Sequence, residues 1–332
     1  MAENHGKEEV VERPDDFHID VPSDDDDNNA NINIIEPFKL KAGLSVNSKS
    51  SLLILNQEIN MPWVTFIKIW NSTSLHVCAD GGSNRLLAYI NKFANSTHDD
   101  DCKKFKPDYI VGDLDSITDK TRKFYSDMKE EVKILLQETQ YSTDLMKSLS
   151  LINLHFNFHK ELINSLKEFD EHDGIEKLNK NLNKNLGFEK LSLIDVYILG
   201  GIGGRFDQTI HSINQLYHIS SYYHNKLHLT FFNRDFEDLV LLIPKGLNFV
   251  KIHKQQIGSK KNAKHNRVVG LLPIGKEVII NTKGLKYDVT NWKSSIDSKV
   301  STNNLIAGDN GFEMECTEDI VINFQIFDND FA

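Results

Sequence analysis

The chain has 332 residues, enough for two domains that each bury a core, and a formal net charge of −10. Residues 1 to 30 hold eleven Asp and Glu against Lys7 and Arg13, so the remaining residues carry a net charge of only −1. Without a basic stripe to neutralise phosphates, this body is not expected to bind nucleic acid. No apolar run approaches the roughly 18 residues of a membrane span, and the sequence does not open with a secretory pattern.

The three cysteines, Cys78, Cys102 and Cys316, are odd in number and widely spaced. This pattern fits neither a disulfide framework nor a C-x-x-C metal site. We therefore expect reduced thiols in a cytoplasmic protein that does not bind membranes.

Taken in chain order, residues 1–45 are acidic, rich in Asn and Asp and short of aromatics, which predicts a disordered tail. Over residues 46–243, apolar runs such as SLLIL, LHVCAD, DYIVGD and IDVYILGG alternate with helical patterns. This alternation is typical of an α/β domain with a parallel sheet and helices on both faces. Within it, the polar stretch of about 157–190 is interpreted as a surface insertion.

The pattern changes after Ile243, where Pro244 and Gly246 interrupt the chain. Short β-type runs separated by Gly and Asn follow, without a convincing long helix. Residues 244–332 are therefore predicted to form an all-β sandwich or barrel. The predicted fold class is an α/β domain with a parallel sheet, followed by an all-β sandwich domain.

Polar motifs follow four of the predicted strands, at the edge where parallel sheets bind ligands. Their glycines allow close backbone approach, and their Ser, Thr and Asn side chains can cap the next helix. The motifs are Ala79 to Arg85 (ADGGSNR), Gly112 to Ser116 (GDLDS), Gln140 to Asp144 (QYSTD) with Lys147 one turn later, and Leu199 to Gln208 (LGGIGGRFDQ).

Together these motifs predict a site for a metal and a polyphosphate. Asp113 and Asp115 supply the hard oxygen ligands that Mg²⁺ prefers. The GGIGG loop can offer backbone amides to phosphate at a helix N-terminus, while Lys147 and Arg205 can neutralise developing charge.

Each motif alone has a simpler explanation. Asp80 can be a helix cap, and Asp144 can be a first-turn charge that faces the helix dipole. The glycine loop is neither a Walker loop nor a dinucleotide fingerprint, whose third glycine would fall on Phe206. The occurrence of all four motifs at successive strand ends favours the functional interpretation.

The ordered set CADGGSNRL, VGDLDSI, Q-x-x-TD-x-x-K and LGGIGGRFDQ, followed by GLLPIG, GLKYDVTNW and VSTNN, resembles the signature of thiamine pyrophosphokinases. The resemblance runs from about Ser51 to the C-terminus and is greatest for the longer, fungal-like members. It implies Mg²⁺-dependent transfer of the pyrophosphoryl group of ATP, the co-substrate, to thiamine. It also implies a nucleotide-binding α/β domain, a thiamine-binding β-sandwich and a homodimer whose subunits share the active sites.

The resemblance implies these site residues. The catalytic set is Asp80, Asp113, Asp115, Asp144, Lys147, Arg205 and Asp207, of which Asp113, Asp115 and Asp144 would hold the metal. The residues expected to bind ATP or thiamine are Gly81, Gly82, Asn84, Gln140, Thr143, Gly201, Gly203, Gly204, Tyr287, Trp292, Ser301, Thr302 and Asn304.

This chain departs from the family pattern at two positions. Tyr287 stands where tryptophan is usual, so stacking on thiamine can fall to Tyr287 or to Trp292. Asn303 replaces a usual serine. Two alternative functions stay open: a metal-dependent phosphohydrolase or nucleotidyl-type enzyme, and a non-catalytic thiamine or nucleotide sensor.

Overall fold

A computed structural model describes residues 7–15, 17–22, 32–40, 49–94, 104–128, 131–158, 174–252, 267–327 and 330–331. Parts of the predicted tail and insertion, and Cys102, lie outside the described residues. The strands are β1 (Glu9–Glu12), β2 (Ile32–Ile35), β3 (Ser50–Ile54), β4 (Leu75–Ala79), β5 (Tyr109–Gly112), β6 (Lys133–Leu136), β7 (Ile194–Ile202), β8 (Leu227–Asn233), β9 (Asp238–Ile243), β10 (Gly246–Lys251), β11 (Val268–Leu272), β12 (Val278–Lys283), β13 (Tyr287–Thr290), β14 (Trp292–Ser294), β15 (Ser301–Leu305), β16 (Gly311–Cys316) and β17 (Ile320–Gln325). The helices are α1 (Trp63–Ser72), α2 (Gly82–Ala94), α3 (Asp119–Ser126), α4 (Asp144–Asn157), α5 (Ile175–Leu186) and α6 (Phe206–Tyr222).

The chain divides into two compact units. The α/β unit comprises Leu40–Ser212 and His218–Phe236, and the β unit comprises Met1–Lys39, Ile213–Tyr217 and Glu237–Ala332. None of the described helices combines the length and apolar character needed to cross a bilayer.

The sheet of the α/β unit has the strand order β8-β7-β3-β4-β5-β6, with every neighbouring pair parallel. Every residue of β3 and β5 is buried. Continuous burial along a strand is typical of a parallel sheet that is covered on both faces, which explains why these strands read as apolar runs rather than alternating ones. The predicted α/β class is confirmed.

The β unit contains a sheet with the order β15-β11-β17-β9 and another with the order β14-β12-β16-β10-β2. The predicted β-rich second domain is therefore confirmed. The observed division differs from the predicted boundary at residue 244, because β9 pairs antiparallel with β17 and so belongs to this unit.

The N-terminal residues differ from the predicted disordered tail at two segments. Strand β1 pairs antiparallel with β13, and β2 pairs parallel with β10. Disorder is predicted because the tail is acidic, rich in Asn and Asp and short of aromatics. An edge strand can nevertheless be held by backbone hydrogen bonds and ion pairs with little burial of its own. Both segments belong to the β unit.

Part of the stretch predicted to be a surface insertion forms helix α5, which packs against α4. Asn153 of α4 donates from Nδ2 to Oδ1 of Asn179 at 2.7 Å and of Asn183 at 2.8 Å, and all three side chains are buried. Asn179 in turn donates to the hydroxyl of Tyr223 at 2.6 Å. Asparagine is usually expected at the surface, yet hydrogen bonds between side-chain amides allow its burial here.

We expect the Asn179→Ala substitution to destabilise the fold by about 1–3 kcal/mol, because it leaves the buried amide of Asn153 and the hydroxyl of Tyr223 short of a partner. The matched control is Asn181→Ala on the exposed face of the same helix, expected to stay within about 0.5 kcal/mol. Urea unfolding monitored by circular dichroism measures both changes. Equal effects for the two variants would contradict a packed α5.

Candidate active site

A cleft of about 680 Å³ lies at the carboxyl edge of the parallel sheet, within the α/β unit. The loops after β3, β4, β5, β6 and β7 all contribute to its walls. The residues predicted from sequence that line it are Asp80, Gly81, Asp113, Gln140, Thr143, Asp144, Lys147, Gly201, Gly203 and Arg205.

Asp80 follows β4 directly and organises the neighbouring loop. Its backbone adopts a φ of 39°, a left-handed conformation that Asp tolerates better than most residues. Its carboxylate accepts hydrogen bonds from the backbone amides of Ser116 at 3.0 Å and Ile117 at 3.1 Å. Burial raises the pKa of Asp80, and these hydrogen bonds oppose that rise. Asp80 is therefore an anchor for the loop rather than the cap of α2.

The loop after β5 presents Asp113 and Asp115. Asp113 accepts from Nε2 of Gln140 at 3.2 Å, and Asp115 accepts from the hydroxyl of Ser116 at 3.0 Å. Between them Leu114 has a φ of 59°, which is unusual for a side chain of this kind and is retained where the surroundings fix it.

The residues Asp80, Asp113 and Asp115 fit a divalent cation. Each offers a carboxylate oxygen, and these oxygens lie within 4.8 Å of one another. Hard oxygen donors of this kind suit Mg²⁺, which keeps part of its water shell and needs only one or two protein carboxylates. Asp144, predicted as a third ligand, is not part of this group of three.

Asp144 begins α4 and pairs with Lys147 on the same face of the helix. The Lys147 ammonium lies 3.5 Å from Oδ1 of Asp144 and donates to the carbonyl of Gln137 at 2.9 Å. Burial raises the pKa of Asp144 and the Lys147 charge lowers it, while Asp113 and Asp80 raise it. Thr143 caps the helix by accepting from the amide of Met146.

Gly112 lets these carboxylates approach one another. A Cβ at this position would lie 2.7 Å from Cβ of Asp80 and 2.9 Å from Oδ1 of Asp144. Any side chain here would push the two acidic residues apart. Its place in the sequence motif is therefore explained by close approach.

The glycine loop after β7 is partly occupied by its own hydrogen bonds. The amide of Gly203 donates to the hydroxyl of Thr209 at 3.0 Å, and its carbonyl accepts from Nε2 of Gln57 at 2.8 Å. Gly204 approaches Gln57 so closely that a Cβ would lie 2.2 Å from Nε2. The amide of Gly203 is therefore taken by Thr209, and the binding of phosphate by other amides of this loop stays a prediction.

Arg205 and Asp207 form an exposed pair, with side chains 74% and 62% accessible. The guanidinium donates to both carboxylate oxygens of Asp207, at 3.1 Å and 2.6 Å. Such a surface pair contributes little to stability, so Arg205 can turn from Asp207 to an anionic ligand at low cost.

Two predicted binding residues of this unit make structural contacts, and their contact with a ligand stays a prediction. Asn84 accepts from the amide of Thr118 at 3.0 Å and donates to the carbonyl of Ser116 at 2.8 Å, which fastens the aspartate loop to α2. At Gly82 a Cβ would lie 2.1 Å from the carbonyl oxygen of Ile54, so glycine is needed there for the packing of α2 on β3.

The remaining predicted residues lie in the β unit. Tyr287 begins β13 and is 45% exposed, Trp292 begins β14 and is half-buried, and Ser301 and Thr302 begin β15. Asn304 is buried and bonds both backbone groups of Tyr287: its Oδ1 accepts from the amide at 3.1 Å and its Nδ2 donates to the carbonyl at 2.8 Å. Asn304 therefore holds the strand that carries Tyr287.

Sequence reasoning missed several residues of the cleft. Asn56 and Gln57 follow β3, and the rule that ligands collect at strand carboxyl ends would have found them had it been applied to the run SLLIL. His211, on α6, lies 3.2 Å from the Thr143 hydroxyl, and burial lowers its pKa. No local sequence signal marks it, since α6 reaches the cleft only through the fold.

The fold and the cleft define a class of protein: an α/β protein whose parallel sheet presents clustered carboxylates and a buried lysine at its carboxyl edge. The protein-family model for the thiamin pyrophosphokinase catalytic domain matches residues 66–231 of this chain. The family model for the thiamin pyrophosphokinase vitamin B1 binding domain matches residues 254–321.

Among curated proteins, the chain is 38% identical to a thiamine pyrophosphokinase of Saccharomyces cerevisiae, over 96% of this chain and 97% of the relative. Two solved structures agree. The thiamin pyrophosphokinase from Candida albicans has a TM-score of 0.81 and 36% identity, covering 97% of this chain and 99% of that one. The yeast enzyme has a TM-score of 0.79 and 36% identity, covering 96% and 97%. The chain belongs to the thiamine pyrophosphokinase family and is an enzyme.

We expect the Lys147→Met substitution to raise the pKa of Asp144 further, because the nearby positive charge that lowers it is removed. Titration of the Asp144 carboxyl carbon by NMR measures this pKa without any assay of turnover. The Lys147→Arg variant keeps the charge and serves as the control. An unchanged Asp144 pKa in Lys147→Met would contradict the pairing.

Proposed function

We propose that this enzyme transfers the pyrophosphoryl group of ATP to the hydroxyethyl oxygen of thiamine, giving thiamine diphosphate and AMP. The observation that carries the proposal is the convergence of Asp80, Asp113 and Asp115 with the Asp144 and Lys147 pair at one edge of the sheet. A triphosphate with a divalent cation needs carboxylates for the cation and positive charge for the phosphoryl oxygens. Family membership supports thiamine as the acceptor.

In this proposal Asp113 and Asp115 hold Mg²⁺, with Asp80 fixing their loop and adding a third oxygen. Bound there, Mg²⁺ would neutralise charge on the triphosphate and orient it. Gln140 supports Asp113, and Lys147 and Arg205 would stabilise negative charge that builds up on the transferred group.

Asp144 is proposed to accept the proton of the attacking hydroxyl. Burial raises its pKa, which makes its carboxylate a stronger base than an exposed one. The hydroxyl oxygen forms a bond to the β-phosphorus, and the bond from that phosphorus to the oxygen it shares with the α-phosphorus breaks. The electron pair of that bond leaves with AMP. Catalysis then comes from positioning and charge stabilisation, without a covalent enzyme intermediate.

We further propose that residues 46–243 bind ATP and residues 244–332 bind thiamine, with Tyr287 or Trp292 stacking on a ring of thiamine. The two family models, named for a catalytic and a vitamin B1 binding domain, support this division. A homodimer with shared sites is proposed from the family resemblance. A cytoplasmic location is proposed because Cys78 and Cys316 are both free and buried.

Incubation of the purified protein with ATP, Mg²⁺ and thiamine, followed by chromatography of nucleotides and thiamine species, tests the reaction. We expect AMP and thiamine diphosphate in equal amounts. ADP with thiamine monophosphate would instead mean attack at the γ-phosphorus. Phosphate release without thiamine would favour a hydrolase, and no product at all would favour a sensor.

We expect Asp115→Asn to lower kcat by about 100-fold or more, since it removes one of the three clustered carboxylates proposed to hold Mg²⁺. Steady-state kinetics at saturating ATP and thiamine measure the loss. Asp119→Asn in the first turn of α3 is the matched control, because that carboxylate is exposed and outside the cluster. Near-full activity of Asp115→Asn would overturn the assignment.

A further inference from the structure

The strand that carries Tyr287 is bordered by the N-terminal segment, defined here as residues 8–15. Strand β1 pairs with β13 along its whole length, in a register from Glu9 opposite Thr290 to Glu12 opposite Tyr287. The pairing extends one residue further, where the amide of Arg13 donates to the carbonyl of Lys286 at 2.8 Å.

The two edges of β13 are held by different groups. The backbone amide and carbonyl of Tyr287 are taken by the side chain of Asn304, whereas the neighbouring Lys286 carbonyl is taken by Arg13. β13 has only four residues, and without β1 its hydrogen bonds would lie on the opposite edge alone, which would make it a marginal strand. Pairing with β1 therefore fixes the backbone from which the Tyr287 ring projects.

A partly buried ion pair locks the N-terminal segment to β13 itself. Nε of Arg13 lies 2.8 Å from Oδ2 of Asp288, whose side chain is only 3% exposed. The Asp288 carboxylate also accepts from the amides of Gly284 at 3.0 Å and Leu285 at 2.9 Å. Loss of Arg13 would leave this buried carboxylate without its cation, which disturbs the turn that leads into Tyr287.

The acidic residues of the N-terminal segment contact lysines on both sides of β13 and β14. Lys286 is held by Glu12 at 3.3 Å and Asp15 at 2.9 Å. Glu8 accepts from the amide of Lys293 at 3.1 Å and pairs with the ammonium of Lys299. These contacts bracket Tyr287 and Trp292 and end two residues before Ser301.

We infer that the N-terminal segment is a positioning element of the proposed thiamine site, which holds the aromatic side chains of β13 and β14 in place for the pyrimidine or thiazolium ring. The inference rests on the proposed function, since it takes Tyr287 or Trp292 to contact thiamine. In this inference the segment makes no contact with the ligand. It acts through strand pairing and through Arg13.

Deletion of residues 2–15 tests the inference, with deletion of residues 2–7 as the matched control that leaves β1 and Glu8 intact. We expect the longer deletion to raise KM for thiamine about tenfold, equivalent to about 1.4 kcal/mol, while KM for ATP stays within about twofold. The control deletion should leave both constants unchanged. Arg13→Ala should raise KM for thiamine in the same direction, with Arg122→Ala on exposed α3 as its control.

If the segment has a purely structural role, deletion of residues 2–15 lowers Tm but leaves KM for thiamine equal to that of the control deletion. This result would overturn the inference. If the shortened chain does not fold, Arg13→Ala decides, because it keeps β1 in the chain. Tyr287→Ala and Trp292→Ala in the full-length protein separate the two claims. If Tyr287→Ala or Trp292→Ala raises KM for thiamine while Arg13→Ala and the deletion do not, the positioning role is refuted and the proposed function stands. If the full-length protein uses no thiamine, the proposed function itself is refuted.

Discussion

The carboxylate of Asp80 ties the end of β4 to the loop after β5, and the rest of the site depends on this interaction. It accepts from the amides of Ser116 and Ile117, so the loop that carries Asp113 and Asp115 has a fixed path. Asn84 adds a second attachment to the same loop. Without these bonds, nothing in the local sequence would hold two neighbouring carboxylates beside a third.

This arrangement carries a cost in stability that a bound cation would offset. Burial raises the pKa of Asp80, and burial together with the carboxylates of Asp113 and Asp80 raises the pKa of Asp144, above the usual value of about 3.9. A carboxyl group whose pKa is raised on folding binds more protons in the folded state, so its ionisation reduces stability as the pH rises from the unfolded pKa through the folded one. Lys147 relieves part of this cost at Asp144, and a divalent cation would relieve more.

The rule that ligands gather at the carboxyl ends of parallel strands located most of the cleft from sequence, including Asp80, Asp113 and Asp144. It does not distinguish polar residues that face a ligand from those that bind the backbone. Asn84 and Asn304, predicted to bind ATP or thiamine, make hydrogen bonds to the backbone, and their contact with a ligand stays a prediction. Amino-acid composition has the same limit elsewhere, because it does not show which polar segments are ordered by hydrogen bonds. The buried asparagines of α4 and α5 are polar, and β1 carries a glutamate at each end. Both features are held by hydrogen bonds that only the folded chain brings together.

The most direct test of the central role of Asp80 is the affinity of the protein for Mn²⁺, a paramagnetic substitute for Mg²⁺, measured by electron paramagnetic resonance with a non-hydrolysable ATP analogue. We expect the unaltered protein to bind Mn²⁺ tightly. Asp80→Asn and Asp115→Asn should each weaken this binding at least tenfold, which corresponds to about 1.4 kcal/mol, while Asp119→Asn should bind Mn²⁺ as the unaltered protein does. Equal Mn²⁺ affinity in the unaltered protein and in Asp80→Asn would contradict the claim that this buried carboxylate builds the cation site.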